Sequence, residues 1–191
     1  MKKLLIVLFV TCFCKTIVFA ENIRDLQIEG ISVGDSALTF FSERDIKKNS
    51  APYYKDKTYT PVENNNYPFF KTYLGVDYTF KTGDPNYIIT SLKGVIDYRN
   101  KPMSDCKIQL RRIFNEFSKD FSSWEKVEIK TIRHIADPTG KSKETGGAFV
   151  SEQGVIVVGC VDYAPETNWM DHLRVSIETH EFRKFLKNAY K

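Results

Sequence analysis

Two stretches towards the C-terminal end set the hydrophobic pattern around which the chain can be read. Gly154 to Val161 is a nearly unbroken run of valine and isoleucine opened by glycine, which predicts a strand buried on both faces. After a polar connection, His172 to Thr179 alternates strictly. That predicts a half-exposed neighbouring strand, with Leu173, Val175 and Ile177 towards the core and His172, Arg174, Ser176, Glu178 and then His180 towards solvent. The pair predicts the centre of an antiparallel sheet.

The same reading extends along the chain. Phe70 to Lys81 and Tyr87 to Tyr98 are strand-like runs around Thr82 to Asn86, where glycine and proline predict a hairpin turn. Glu125 to Ile135 alternates and offers Val127, Ile129 and Ile132 to the core, and a polar loop is expected from Ala136 to Gly147. Ser151 to Gly154 then joins Gly147–Val150 to the buried run as a tight hairpin. Pro52 to Tyr59 reads as a lysine-guarded edge strand whose tyrosines cover a core edge with their hydroxyls wet. Helical spacing is clearest in Cys106, Leu110, Ile113, Phe114, Phe117 and Phe121, one continuous face of a helix expected over Asp105 to Phe121 with Ser104 as its cap. The basic residues off that stripe, Lys107, Arg111, Arg112 and Lys119, mix with Glu116 and Asp120 as a solvated face. Ser32 with Asp35, and Ser42 with Asp45, have cap spacing for two short helices, and Glu181 to Tyr190 predicts another with Phe182, Phe185 and Leu186 inward. The expected fold class is α+β: a mostly antiparallel β-sheet with one long helix packed on a face and short helices at both ends.

The N-terminal stretch changes how charge and cysteine are read. Met1 to Ala20 has the parts of a secretory signal peptide: Lys2 and Lys3, the apolar run Leu4 to Cys14, and a small-residue site ending in Ala20. Cleavage is expected between Ala20 and Glu21, leaving residues 21–191 as a single α+β domain with no transmembrane segment. Lys15 interrupts the apolar run, and Cys12 lacks the small preceding residue of a lipidation site. Without Lys2, Lys3 and Lys15, the 28 basic residues fall to 25 against 24 acidic ones, so no global charge favours nucleic acid or an anionic membrane. A periplasmic or secreted location is oxidising, which favours a disulfide between Cys106 and Cys160. A pair of buried free thiols is the alternative. The expected state is a monomer with no cofactor and no metal.

Three patches of candidate chemistry stand out. Gly34-Asp35-Ser36-Ala37-Leu38 resembles the Gly-Asp-Ser-Leu nucleophile block of a lipase and esterase superfamily, which implies Ser36 as nucleophile. That superfamily also carries a Gly-x-Asn-Asp block and a late Asp-x-x-His pair, whereas here Asp171 directly precedes His172 and Trp169 stands at the aspartate's place. Asp35 and Ser36 read better as residues of a capped first turn. Gly140-Lys141-Ser142 has the end of a phosphate-loop motif, but Ile135 replaces its first glycine and no helix opens at the lysine. His172, Glu178 and His180 share a strand side, yet eight residues of extended chain span about 26 Å, too far for His172 and His180 to ligate one ion.

Taken together, Ile28 to Ser36, Ser91 to Ile96, the helix opened by Cys106, the Gly140 to Lys143 loop, and Leu173 to Thr179 followed by Glu181-Phe182 resemble a set of exported bacterial proteins to which no activity is assigned. The Gly34-x-Ser36 start is also similar to outer-membrane assembly lipoproteins, which implies a protein-binding module, although no lipid-attachment cysteine is present. The function expected is therefore an exported periplasmic domain with a non-catalytic binding or envelope-support role and an envelope protein as its partner. The alternative is a small serine hydrolase using Ser36.

Overall fold

The structure is a computed structural model that describes residues 22–65 and 67–190. The expected signal peptide, residues 1–20, and the Ala20–Glu21 cleavage site lie outside the described residues. Among the described residues a 3-10 turn, Ile23–Asp25, comes first, then a two-stranded hairpin, β1 (Gln27–Ile28) and β2 (Ile31–Ser32), a second 3-10 turn, Ala37–Thr39, and α1 (Glu43–Asn49). Then come β3 (Tyr59–Asn65), β4 (Gly75–Lys81), β5 (Ile89–Asp97), the 18-residue α2 (Met103–Asp120), β6 (Glu125–Arg133), β7 (Lys143–Val150), β8 (Val155–Asp162), β9 (His172–Glu178) and α3 (His180–Leu186). β3 to β9 form one seven-stranded sheet in the order β3-β4-β5-β9-β8-β7-β6, every neighbouring pair antiparallel. The fold is α+β, with the two strands of the opening pattern, β8 and β9, side by side at its centre.

One face of the sheet carries the main apolar core. Along α2, Cys106, Leu110 and Phe114 are fully buried against Val158, Cys160, Phe149 and Leu173. The helix runs antiparallel to β8, and Cys106 is disulfide-bonded to Cys160, with the Cα atoms 6.0 Å apart. It begins two residues before the expected start: Pro102, with its preset φ of −59°, occupies the cap position, and Ser104 lies inside the first turn without capping it. Beside α2, on the same face, Ile31, Val33, Ala37, Phe41 and Ile46 from the N-terminal segment pack on Val62, Val76, Tyr78 and Leu92. Ser42 caps α1 as its spacing predicts, accepting from Asp45 N at 3.1 Å. Ser32 does not cap a helix. Its own N–H donates to Asp35 Oδ2 in a turn.

Three other expectations are corrected. Pro52 to Tyr59 is a loop up to Thr58. The edge strand is β3 beyond it, and Tyr54 is buried under Phe185 and Tyr190 rather than wet. Lys143 to Gly147 belongs to β7 and not to a loop, because its glycines answer a packing need: a Cβ on Gly147 would lie 2.5 Å from Phe114 and 2.8 Å from the carbonyl oxygen of Val127. Ile132 is exposed, because an irregularity in register between Val127 and Lys130 shifts the alternation of β6 and turns it off the core face.

The largest correction concerns β9. Its polar side is not a solvent face: His172, Ser176 and Glu178 are all buried. α3 and the chain end fold back over this second face of the sheet, where Tyr54, Tyr59, Phe182 and Ala189 form a separate apolar cluster. The clasp is tied by Lys55 N donating to Ala189 O at 2.9 Å. Among the described residues no helix is long and apolar enough to cross a membrane.

Candidate functional site

Burial of the polar side of β9 gathers charged groups on the second face of the sheet. Arg174 lies in register with Gly159 of β8, which in turn pairs with Gly146 of β7. Two side-chain-free positions in one row let the guanidinium lie along the sheet and donate through Nη2 to Glu144 Oε1 at 2.6 Å. A Cβ on Gly159 would stand 3.2 Å from that same oxygen. Around the pair, Arg183 Nη1 donates to Glu178 Oε2 at 3.1 Å, and Lys93 pairs with Asp77 at 2.7 Å. Burial works against the charge of Arg174, but the carboxylates of Glu144 and Glu178 outweigh it and raise its pKa above the ordinary value. For Glu144, burial pushes the carboxyl up, and Arg174 and the neighbouring His134 more than reverse it, leaving it below its ordinary range. The Arg174–Glu144 pair ties β9 to β7 across β8.

Beside the network, Tyr163 is the hub of an aromatic cluster. His134 and Trp169 meet its ring edge-on at 5.0 and 5.1 Å, and His172 lies 5.8 Å away. His134 Nε2 is 3.5 Å from the Tyr163 hydroxyl, and His172 Nδ1 donates to Met170 O at 2.7 Å. Burial, then the charge of Arg174, lowers the pKa of His134 to about 4. Burial, then the charge of Lys93, lowers that of His172 to about 3. Both are neutral structural groups at neutral pH. His180, at the start of α3, bonds Ser151 O through Nε2 at 2.6 Å, away from both. The structure thus separates the histidines that share a strand pattern, and among the described residues no group of three His, Cys, Asp or Glu side chains could hold a metal ion.

The Gly140 loop is filled from within. Asp137 Oδ2 accepts from the backbone N–H of Lys141 at 3.1 Å and of Ser142 at 2.8 Å, and Asp137 Oδ1 accepts from Thr139 N at 2.8 Å. The amides that would cradle a phosphate are therefore already spent on a carboxylate of the chain.

Gly34, Asp35 and Ser36 come together with the turn between β4 and β5. Gly34 N donates to Ile89 O at 2.8 Å, Ile89 N to Asp35 O at 2.9 Å, and Ala37 N to Tyr87 O at 3.0 Å. The Ser36 hydroxyl donates to Asn86 O at 2.6 Å. No histidine reaches Ser36, since each of the three has its polar contact elsewhere. What the block holds is an unusual backbone: Tyr87 sits at φ 51°, a left-handed conformation that a bulky side chain rarely adopts. Its hydroxyl donates to Glu43 Oε1 at 2.8 Å, and its ring meets Phe80 edge-on at 5.0 Å. The sequence carries the turn signal here, Gly83 to Asn86, but no signal for the strain.

Two surface depressions flank these elements. One of about 490 Å³ lies between Trp124, Glu125 and the Val150–Glu152 turn, with only carboxylates as charged groups. The other, of about 450 Å³, is bounded by α1, β3 and the strained turn, and includes Glu43, Lys47, Thr60, Phe80 and Tyr87. Neither lies on the Arg174 network. Compared with protein-family models, curated proteins and solved structures, the chain matches none.

Proposed function

We propose that the chain is an exported, monomeric, non-catalytic binding domain of the bacterial envelope, delivered by a signal peptide cleaved after Ala20 and belonging with the exported proteins it resembles. The observation that carries the non-catalytic part is the use of Ser36. Its hydroxyl is committed as a donor to the Asn86 carbonyl, and a serine nucleophile instead needs a base within hydrogen-bond reach to take its proton. Support for export comes from the N-terminal pattern and from the buried Cys106–Cys160 disulfide, which persists in an oxidising compartment. An envelope protein is the expected partner.

Ser36→Ala separates this reading from the serine hydrolase. The variant loses one hydrogen bond, so its stability falls by about 1 kcal/mol, and its activity on short-chain aryl esters equals that of the wild type. Esterase turnover by the wild-type protein that disappears in a folded Ser36→Ala variant would overturn the proposal. The location is tested separately by N-terminal sequencing of the protein recovered from the envelope fraction, where Glu21 is the expected first residue.

A further inference from the structure

At the open corner of the sheet, where β6 begins and β7 ends, the 490 Å³ depression has walls that the chain holds in place. On one side Trp124 N donates to Phe121 O at 3.0 Å, and the indole leans on the Phe121 ring with centroids 5.0 Å apart. Trp124 is thereby anchored in the core yet only half-buried, and it lines the depression. On the other side stands the turn between β7 and β8. Ser151 N donates to Gly154 O at 3.0 Å, Gln153 N to Ser151 Oγ at 3.2 Å, and His180 Nε2 to Ser151 O at 2.6 Å. β6 is the last strand of the sheet, so no further strand closes that corner.

Glu125 and Glu152 are the charged groups that line the depression, and they give it two negative charges. Both are exposed, and among the described residues neither carboxylate has an ion pair or a hydrogen bond. The cation next in sequence is spent elsewhere. Lys126 points to the opposite face of β6, where its ammonium pairs with Glu128 at 3.0 Å and lies 5.3 Å from the centre of the Phe114 ring. In the other depression, by contrast, Glu43 already holds Lys47. The imbalance is local, because 25 basic against 24 acidic residues leave the chain after Ala20 close to neutral.

Unpartnered carboxylates repel anions and acidic segments, and a neutral ligand leaves their charge unanswered. A metal ion is poorly matched, since among the described residues no group of three His, Cys, Asp or Glu side chains could hold one. An organic cation meets both parts of the wall, with its charge between the carboxylates and its apolar part against the indole and Val150. Of the cations a protein carries, a guanidinium suits this best. It is planar, offers N–H groups to carboxylates along several edges, stacks on aromatic rings and is less strongly hydrated than an ammonium.

We propose that this depression is the surface through which the domain binds its partner, and that it takes an exposed arginine side chain of that protein. The inference rests on the binding reading above and names the place and the chemistry of the contact. The guanidinium lies against Trp124 with Glu125 on one side and Glu152 on the other.

The test is a heteronuclear NMR titration of the folded, disulfide-bonded protein with end-blocked Gly-Arg-Gly to millimolar concentrations. End-blocked Gly-Lys-Gly and Gly-Glu-Gly serve as comparisons, with choline and magnesium chloride as free cations. Gly-Arg-Gly is expected to give saturable shifts at the amides of Trp124, Glu125 and Glu152, and added sodium chloride is expected to weaken them. Glu125→Gln and Glu152→Gln, both at exposed positions, should each weaken binding about twofold to fivefold, and the double variant about tenfold. Equal binding of Gly-Glu-Gly overturns the charge argument, and binding of Gly-Lys-Gly as tight as that of Gly-Arg-Gly overturns the guanidinium. Tighter saturation by choline or magnesium overturns a protein side chain as the occupant. Shifts confined to another surface, no response, or binding that the double variant leaves unchanged overturn the site. None of these outcomes bears on Ser36, so a failure here is distinguishable from a hydrolase result in the esterase assay.

Discussion

Acidification is the perturbation whose effect follows most directly from the buried second face of the sheet. His134, only 8% exposed, and His172, 7% exposed, are held neutral, with pKa values lowered from the ordinary 6.5 to about 4 and about 3. An unfolded chain binds a proton on each imidazole below pH 6.5, whereas the folded chain binds neither until much lower pH. The stability they contribute is thus fully present above pH 6.5 and is lost as pH falls towards their folded values. Each histidine accounts for about 1.4 kcal/mol per pH unit in that window, so lowering pH from 7 to 5 costs roughly 4 kcal/mol for the two. That is a large part of the 5–15 kcal/mol typical of a domain. Other groups act in different windows or directions. Glu63 is raised by burial and by Asp77 against the pull of Lys93, so it offsets some of the loss near its own titration. Glu144 and Asp137 are lowered and add losses only below the ordinary carboxylate range. Around His134 and His172 the facing charges are Arg174, Lys93, Glu144 and Asp137, two of each sign. Urea unfolding followed by circular dichroism at pH 7, 6 and 5 measures the slope, and the His134→Gln, His172→Gln double variant should flatten it. A wild-type stability constant to within 1 kcal/mol over this range, or an equal slope in the double variant, would refute the reasoning.

Removing the Cys106–Cys160 bond by paired alanine substitutions should lower stability by about 4 kcal/mol for a closed loop of 54 residues, read as a shift in the urea midpoint. The wild-type protein denatured without reductant should show no titratable thiol, and two thiols would contradict the pairing. Arg174→Met leaves Glu144 without its cation and should cost about 3–5 kcal/mol, most of it recovered when Glu144→Gln is added; additive losses in the double-mutant cycle would show that the two side chains are not coupled. Gly147→Ala drives a methyl group against the carbonyl of Val127, which cannot swing aside as a side chain could, and should cost about 1–3 kcal/mol in thermal unfolding. An unchanged melting temperature would show that β6 gives way there.

What could be read from the residues alone follows the range of the interactions. The β8 run and the α2 stripe were legible because each is a local periodicity, and the disulfide joins residues already marked by both. Alternation in β9 correctly divided its two faces. It was silent on what lies over each face. The cover on the polar side comes from α3 and from the loop around Tyr54, more than a hundred residues away, and the carboxylate for Arg174 comes from β7. β7 itself was hidden because Gly146 and Gly147 look like loop residues, when they are the positions at which neighbouring strands and Phe114 approach too closely for a side chain. The exposure of Ile132 depends on a one-residue irregularity that no period can announce.

The Gly34–Ser36 block shows why a chemical motif needs its surroundings before it means chemistry. As a string of residues it offers a nucleophile, yet a serine becomes one only through a neighbouring base, and His134, His172 and His180 bond Tyr163, Met170 and Ser151 instead. What Gly34 to Ala37 supply is four hydrogen bonds to the turn and to Ile89 at the start of β5, each with a net value of about 1 kcal/mol, set against the strain of about 1–3 kcal/mol at Tyr87. The two sums are of the same order, so the strained turn can be kept without drawing on the core. A turn held at that cost fixes one hydroxyl and one ring against α1.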